Sequence, residues 1–159
     1  MAEKIADKVS ITICGDGGCD TAGQEEYRGL WAASNLQSDA FLLVYDITNP
    51  NSLEGLTWFL DMIGIEAENR LEENNRLLRE KGTRVRGKRE EGWKFPPVMI
   101  VAGNKCDLKD ARLVSAKYAW EWARSRGCGF METSAREMVN IEETFACMFN
   151  TRATSLSLT

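Results

Sequence analysis

The sequence predicts an α/β protein: a mostly parallel sheet of about four strands with helices on both faces. Two observations predict this class. Short apolar runs that end at Gly or Asp alternate with stretches of helical periodicity, which is the rhythm of βαβ units. The second and third runs are almost continuously apolar, as strands covered on both faces must be. A chain of 159 residues is long enough to bury one core of ordinary size, so a single domain over 1–159 is expected.

Taken in order, the first strand is VSITIC at residues 9–14, ended by Gly15. The second is AFLLVY at 40–45, ended by Asp46. Behind it, NSLE at 51–54 has capping-box spacing, and Leu53, Leu56, Leu60 and Ile63 then recur at helical intervals. The third strand is VMIVA at 98–102, ended by Gly103. A second helix follows Ser115, with Ala119, Trp122 and Ala123 as its apolar stripe and Gly127 as its stop. The fourth strand is GFM at 129–131, leading into ETSA at 132–135. A third helix opens at Asn140, with Ile141, Phe145 and Met148 along one side, and residues 151–159 read as a fraying tail.

Composition narrows the chemistry. The chain contains no histidine, which removes imidazole acid/base relays, histidine-based nucleophilic triads and imidazole zinc sites. A net charge of −4 argues against general nucleic-acid binding, which needs a basic footprint on phosphates. The five cysteines (14, 19, 106, 128, 147) form no CxxC pair and follow no apolar leader, so free thiols in a reducing, cytoplasmic setting are expected. Residues 66–94 differ from the rest, with nine Lys/Arg against seven Asp/Glu, and four of the six residues at 84–89 are basic. This segment reads as a solvated helix extension followed by a loop, or else as a docking surface for an acidic partner or anionic lipid.

In an open parallel sheet ligands sit at the carboxyl ends of strands. After the first run comes GDGGC at 15–19, whose small residues let backbone N–H groups face an anion, although a plain tight turn accounts for them equally well. Next come DTAGQEEY at 20–27, NKCD at 104–107 and ETSA at 132–135. In this order and at strand ends, these three resemble the nucleotide-binding boxes of Ras-like small GTPases, the Ras branch of the P-loop GTPase superfamily. The likeness covers nearly the whole chain apart from 66–94 and the tail. It implies a three-layer P-loop NTPase-like fold that binds GTP or GDP with Mg²⁺ and acts as a monomeric signalling switch.

By that resemblance, Asp107 accepts two hydrogen bonds from guanine, a contact adenine does not offer. Asn104 braces the loops, Lys105 lays its stem over the base and holds the phosphate loop, and Ser134 with the Ala135 backbone completes the pocket. Arg136 stands where the family usually has Lys. Cys106, inside the same box, reads as a small packed side chain. Gly15, Asp16, Gly17, Gly18 and Cys19 would be what remains of the phosphate loop. Asp20 would hold Mg²⁺ through water, Gly23 would donate to the γ-phosphate, and Gln24 would orient the attacking water. Regulators and effectors would read the second switch, from Gln24 to Trp31.

One departure is large. The family's phosphate loop is Gly-x-x-x-x-Gly-Lys-Ser/Thr, but here Cys19 is followed at once by Asp20. About forty residues of the usual spacing are absent, including the phosphate Lys, the Mg²⁺-ligating Ser, the first helix, the first switch and two strands. Those contacts correspond to roughly 5–10 kcal/mol of nucleotide binding. Residues 66–94 in turn add about 25 residues before the third strand. The shortened sheet should show uncovered apolar surface, and the first run could sit in either of two neighbouring slots. The C-terminal SLSLT carries no prenylation cysteine, so no lipid anchor is expected. Three readings follow: an impaired GTPase switch, a nucleotide-poor module that sequesters GTPase regulators, and a non-functional splicing product.

Overall fold

The structure, a computed structural model, describes residues 9–15, 36–81 and 93–157. Each of the four apolar runs becomes a strand: β1 Ile11–Gly15, β2 Ala40–Asp46, β3 Val98–Asn104 and β4 Gly129–Glu132. They form one sheet in the order β1-β2-β3-β4, parallel throughout. The first run takes the slot directly beside β2. The register sets Asp46 beside Asn104, and Gly103 beside Glu132, so the ends of β2, β3 and β4 are level.

Three helices complete the described fold: α1 Pro50–Lys81, α2 Ala116–Ser125 and α3 Ile141–Ser157, with a 3₁₀ turn at Lys109–Ala111. Strand alternation divides the apolar side chains into two cores. Phe41, Leu43, Tyr45 and Val101 meet Leu53, Leu56 and Ile63 of α1 and Ala119, Trp122 and Ala123 of α2. Ala40, Leu42, Ile100 and Ala102 meet Met148 of α3, with Phe145 packed alongside. No described helix is long and apolar enough to cross a membrane. Uncovered apolar surface shows at β1, where Ile13 is 60% exposed.

The start of α1 differs from the expected capping box. Pro50 is the first helical residue, where its fixed φ suits the helix and its missing N–H costs nothing. The cap is therefore Asn49, whose Oδ1 accepts the Asn51 N–H at 3.1 Å. Ser52 is turned inward instead: its Oγ accepts the Asp46 N–H at 2.9 Å and donates to the Asn49 carbonyl at 2.6 Å. The second helix begins and ends as expected. Ser115 Oγ accepts the Tyr118 N–H, and Gly127 adopts φ +70° just beyond the C-terminus, where a side chain would be strained.

The charged extension of α1 runs to Lys81 and is not solvated throughout. Arg70 is 5% exposed. Its guanidinium donates to Glu66 Oε1 (3.0 Å) and to the carbonyls of Phe95 (3.2 Å), Leu36 (2.7 Å) and Ser38 (3.0 Å). One turn on, buried Asn74 exchanges two hydrogen bonds with the Lys94 backbone, at 2.6 and 3.0 Å. These two side chains tie the extension to the segments entering β2 and β3. The basic run at 84–89 lies outside the described residues.

Helix α3 runs through Thr151 to Ser157. Its buried Arg152 reaches across the sheet to Asp39 Oδ1 at 2.6 Å and lies 5.0 Å from the Phe95 ring centroid. Burial pushes the Asp39 carboxyl up, but hydrogen bonds from Ser10 and the Arg152 charge outweigh it and hold its pKa below the usual value.

Close packing at the carboxyl end depends on two glycines. A Cβ at Gly15 would lie 2.8 Å from the Val44 carbonyl oxygen, and one at Gly103 would lie 2.6 Å from Tyr45 Oη. The Tyr45 ring fills the space that Gly103 leaves. Its buried hydroxyl has no hydrogen-bond partner among the described residues.

Candidate functional site

The loops that follow β3 and β4 come together at the level carboxyl edge. Thr133 N–H donates to the Gly103 carbonyl at 2.8 Å and Cys106 N–H donates to the Thr133 carbonyl at 3.0 Å, which locks one loop to the other. Ser134 is fully buried. It pairs with Val139 through two backbone hydrogen bonds, at 3.1 and 3.0 Å, and its Oγ accepts the Glu137 N–H at 3.0 Å. That hydroxyl's proton goes to Asp107 Oδ1, 2.6 Å away. Asn104 Oδ1 accepts the Ala135 N–H at 3.2 Å.

Four of the residues singled out in the sequence, Asn104, Asp107, Ser134 and Ala135, are thus joined pairwise across the two loops. Lys105 is the fifth. It adopts φ +66°, a left-handed conformation uncommon for a residue with a side chain, and its ammonium donates to Asp46 Oδ2 at 2.5 Å. Burial pushes the Asp46 carboxyl up, yet the Lys105 and Thr48 hydrogen bonds outweigh it and hold its pKa below the ordinary value.

Arg136 behaves differently from its loop neighbours: its side chain is 79% exposed and lies 3.6 Å from Glu137. Cys106 is half-buried, and burial together with the charges of Glu132 and Asp107 pushes its thiol up, so it stays protonated. Gly15 is the end of β1. Asp16, Gly17, Gly18, Cys19, Asp20, Gly23 and Gln24, with the segment to Trp31, lie outside the described residues.

Two residues here were not singled out in the sequence. One is Asp46. The other is Arg112, whose guanidinium grips Glu132 through Nη1 (2.5 Å) and Nη2 (3.1 Å) and also donates to the Val114 carbonyl. The Glu132 hydrogen bond raises the pKa of Arg112. This bidentate pair holds the chain after the 3₁₀ turn against the strand that delivers Ser134. An ionisable residue ending a central strand was the available signal for Asp46. Arg112 had none, because its partner is 20 residues away in sequence.

A four-stranded parallel α/β sheet, with its β3 and β4 loops interlocked through Asn104, Asp107 and Ser134, is consistent with a P-loop GTPase-like fold. The sequence model of the Ras family matches residues 7–78 and 84–153. A Ras-like protein of Laccaria bicolor is 37% identical over 126 residues, covering 79% of this chain and 48% of the relative. The chain belongs to the Ras family. It spans about half the length of that relative.

Proposed function

We propose that this chain recognises guanine through the β3 and β4 loops, grips the nucleotide's phosphates weakly, and hydrolyses GTP poorly or not at all. The observation that supports this is the contrast between the two halves of the site. On the base side Ser134 orients the Asp107 carboxylate at 2.6 Å, and Asn104 braces the Ala135 backbone at 3.2 Å. On the phosphate side Cys19 runs straight into Asp20, without Gly-Lys-Ser.

A carboxylate presents only acceptors, so it pairs with the adjacent N1–H and exocyclic amine of guanine. Adenine offers no such pair of donors, and discrimination follows from that difference. A preset carboxylate rotamer lowers the ordering cost of the contact. Mg²⁺ bound to the nucleotide would neutralise phosphate charge. Of the family's ligands only Asp20 remains for it in the sequence. A hard cation with octahedral demands needs more than one carboxylate.

Equilibrium titration of the purified chain with guanosine, GDP and adenosine tests the proposal. Guanosine and GDP should bind within about tenfold of each other, because the phosphates add little. Adenosine should not bind, and GTP turnover should stay at the buffer rate. Stoichiometric GDP or GTP in the purified protein would overturn the weak-phosphate part. Failure of both guanosine and GDP to bind would overturn base recognition.

A further inference from the structure

We propose that Asp46 is a positioning residue of the base site: it fixes where the Lys105 ammonium stands and thereby the path of the lysine stem across the guanine ring. The inference rests on the guanine reading above, and it gives a role to a side chain that touches the base loops without belonging to them.

The geometry divides the labour between the two carboxylate oxygens. Oδ1 accepts the Thr48 N–H at 2.8 Å and the Thr48 hydroxyl at 2.7 Å, which sets the rotamer. Oδ2 is then left facing β3, where it accepts from Lys105 at 2.5 Å. The backbone of Asp46 is held as well, since Ser52 Oγ accepts its N–H at 2.9 Å. The turn that carries it is stitched to the β3 loop: Ile47 N–H donates to the Asn104 carbonyl, while Leu113 and Val114 N–H groups both donate to the Ile47 carbonyl. Asp46 and Asn104 are register partners, so the anion stands one strand from the left-handed Lys105.

The Lys105 side chain is 48% exposed, and an ion pair that open stabilises a fold little. What it supplies is direction. A lysine stem has four rotatable bonds, and a fixed anion selects the conformers that lie along the sheet edge.

Two readouts on the full chain test this. In the ligand-free protein, the acetylation rate of Lys105 by acetic anhydride, followed by peptide mass spectrometry, should rise about three- to tenfold in Asp46→Asn, with exposed Lys117 as the internal standard. Guanosine affinity should fall about fivefold in the same variant, and Asp46→Glu, which keeps the charge, should recover most of it. Thr48→Val, which removes one hydrogen bond to Oδ1 and leaves the charge in place, should shift both readouts the same way by about twofold. An unchanged Lys105 rate in both Asp46→Asn and Thr48→Val would overturn the positioning role, whatever the nucleotide does. A raised rate with unchanged guanosine affinity would overturn the link between the pair and the base. Absence of guanosine binding in the unsubstituted chain would instead overturn the guanine reading, with the acetylation result still deciding the pairing.

Discussion

Replacing Arg70 with Met keeps an unbranched apolar stem of similar reach and removes only the guanidinium. In the native protein that group serves Glu66 and the carbonyls of Leu36, Ser38 and Phe95. The Ser38 hydrogen bond is buried and the Leu36 and Phe95 ones are part-buried. Leaving the first carbonyl unpaired costs about 1–3 kcal/mol, and water can partly replace the donor at the other two, for roughly 0.5–1 kcal/mol each. Glu66, whose side chain is 18% exposed, also loses its partner. The carbonyls sum to about 2–5 kcal/mol, and the unpaired Glu66 lifts the lower end, which gives about 3–5 kcal/mol, in the range for breaking a buried pair from one side. With a urea m-value of about 2 kcal/mol/M for a domain of this size, the midpoint should fall by about 2 M. Arg70→Lys should recover only part of this, because a single ammonium cannot span four acceptors. Arg76→Ala is the control: its contact with Glu80 is 3.8 Å, and the two side chains are 65% and 64% exposed, so the midpoint should barely move. An Arg70→Met midpoint within about 0.5 M of the parent would refute the view that this guanidinium ties α1 to the strand entries.

Two further predictions concern one buried hydroxyl and one paired carboxylate. Tyr45→Phe removes a buried hydroxyl that has no partner among the described residues, so it should leave stability unchanged or raise it by up to about 1 kcal/mol in urea denaturation; a loss above about 1 kcal/mol would show that the hydroxyl has a partner. Asp39, with its carboxyl held below the ordinary carboxylate range by Ser10 and Arg152, contributes stability that is complete above about pH 5 and is lost as pH falls through its folded pKa. Asp39→Asn should therefore be less stable than the parent at pH 7, and the difference should shrink below pH 4 in a pH series of urea midpoints.

The sheet was legible because its signal is local: four apolar runs bounded by Gly or Asp became four parallel strands, and Leu53, Leu56 and Ile63 became the buried stripe of α1. Ser115 and Gly127 marked the ends of α2 for the same reason, since each acts within a few residues of itself. Where the decisive partner is distant, the pattern was silent. Arg70 and Asn74 sit in a run that composition alone marks as solvated, yet they are buried against segments 20 to 34 residues away. Arg152 hides in a polar stretch because its apolar partner is the ring of Phe95 and its charge partner is Asp39, 113 residues earlier. The residues of the NKCD and ETSA boxes could be read from motif spacing, whereas Asp46 and Arg112 join them through the distant partners Lys105 and Glu132. Such roles are written in strand register, not in sequence distance.

The strand order bears on how the loops after β3 and β4 are held. Strands β1 to β4 succeed one another across the sheet in a single direction, and α1 and α2, the helices that join β2 to β3 and β3 to β4, share one face. A doubly wound sheet opens a crevice where successive crossovers change faces and the direction of winding reverses. The NKCD and ETSA loops follow β3 and β4, inside the singly wound part, and are closed by their own hydrogen bonds without any reversal. The loops after β3 and β4 are therefore fixed by contacts between neighbouring strand ends, which need no change of winding direction.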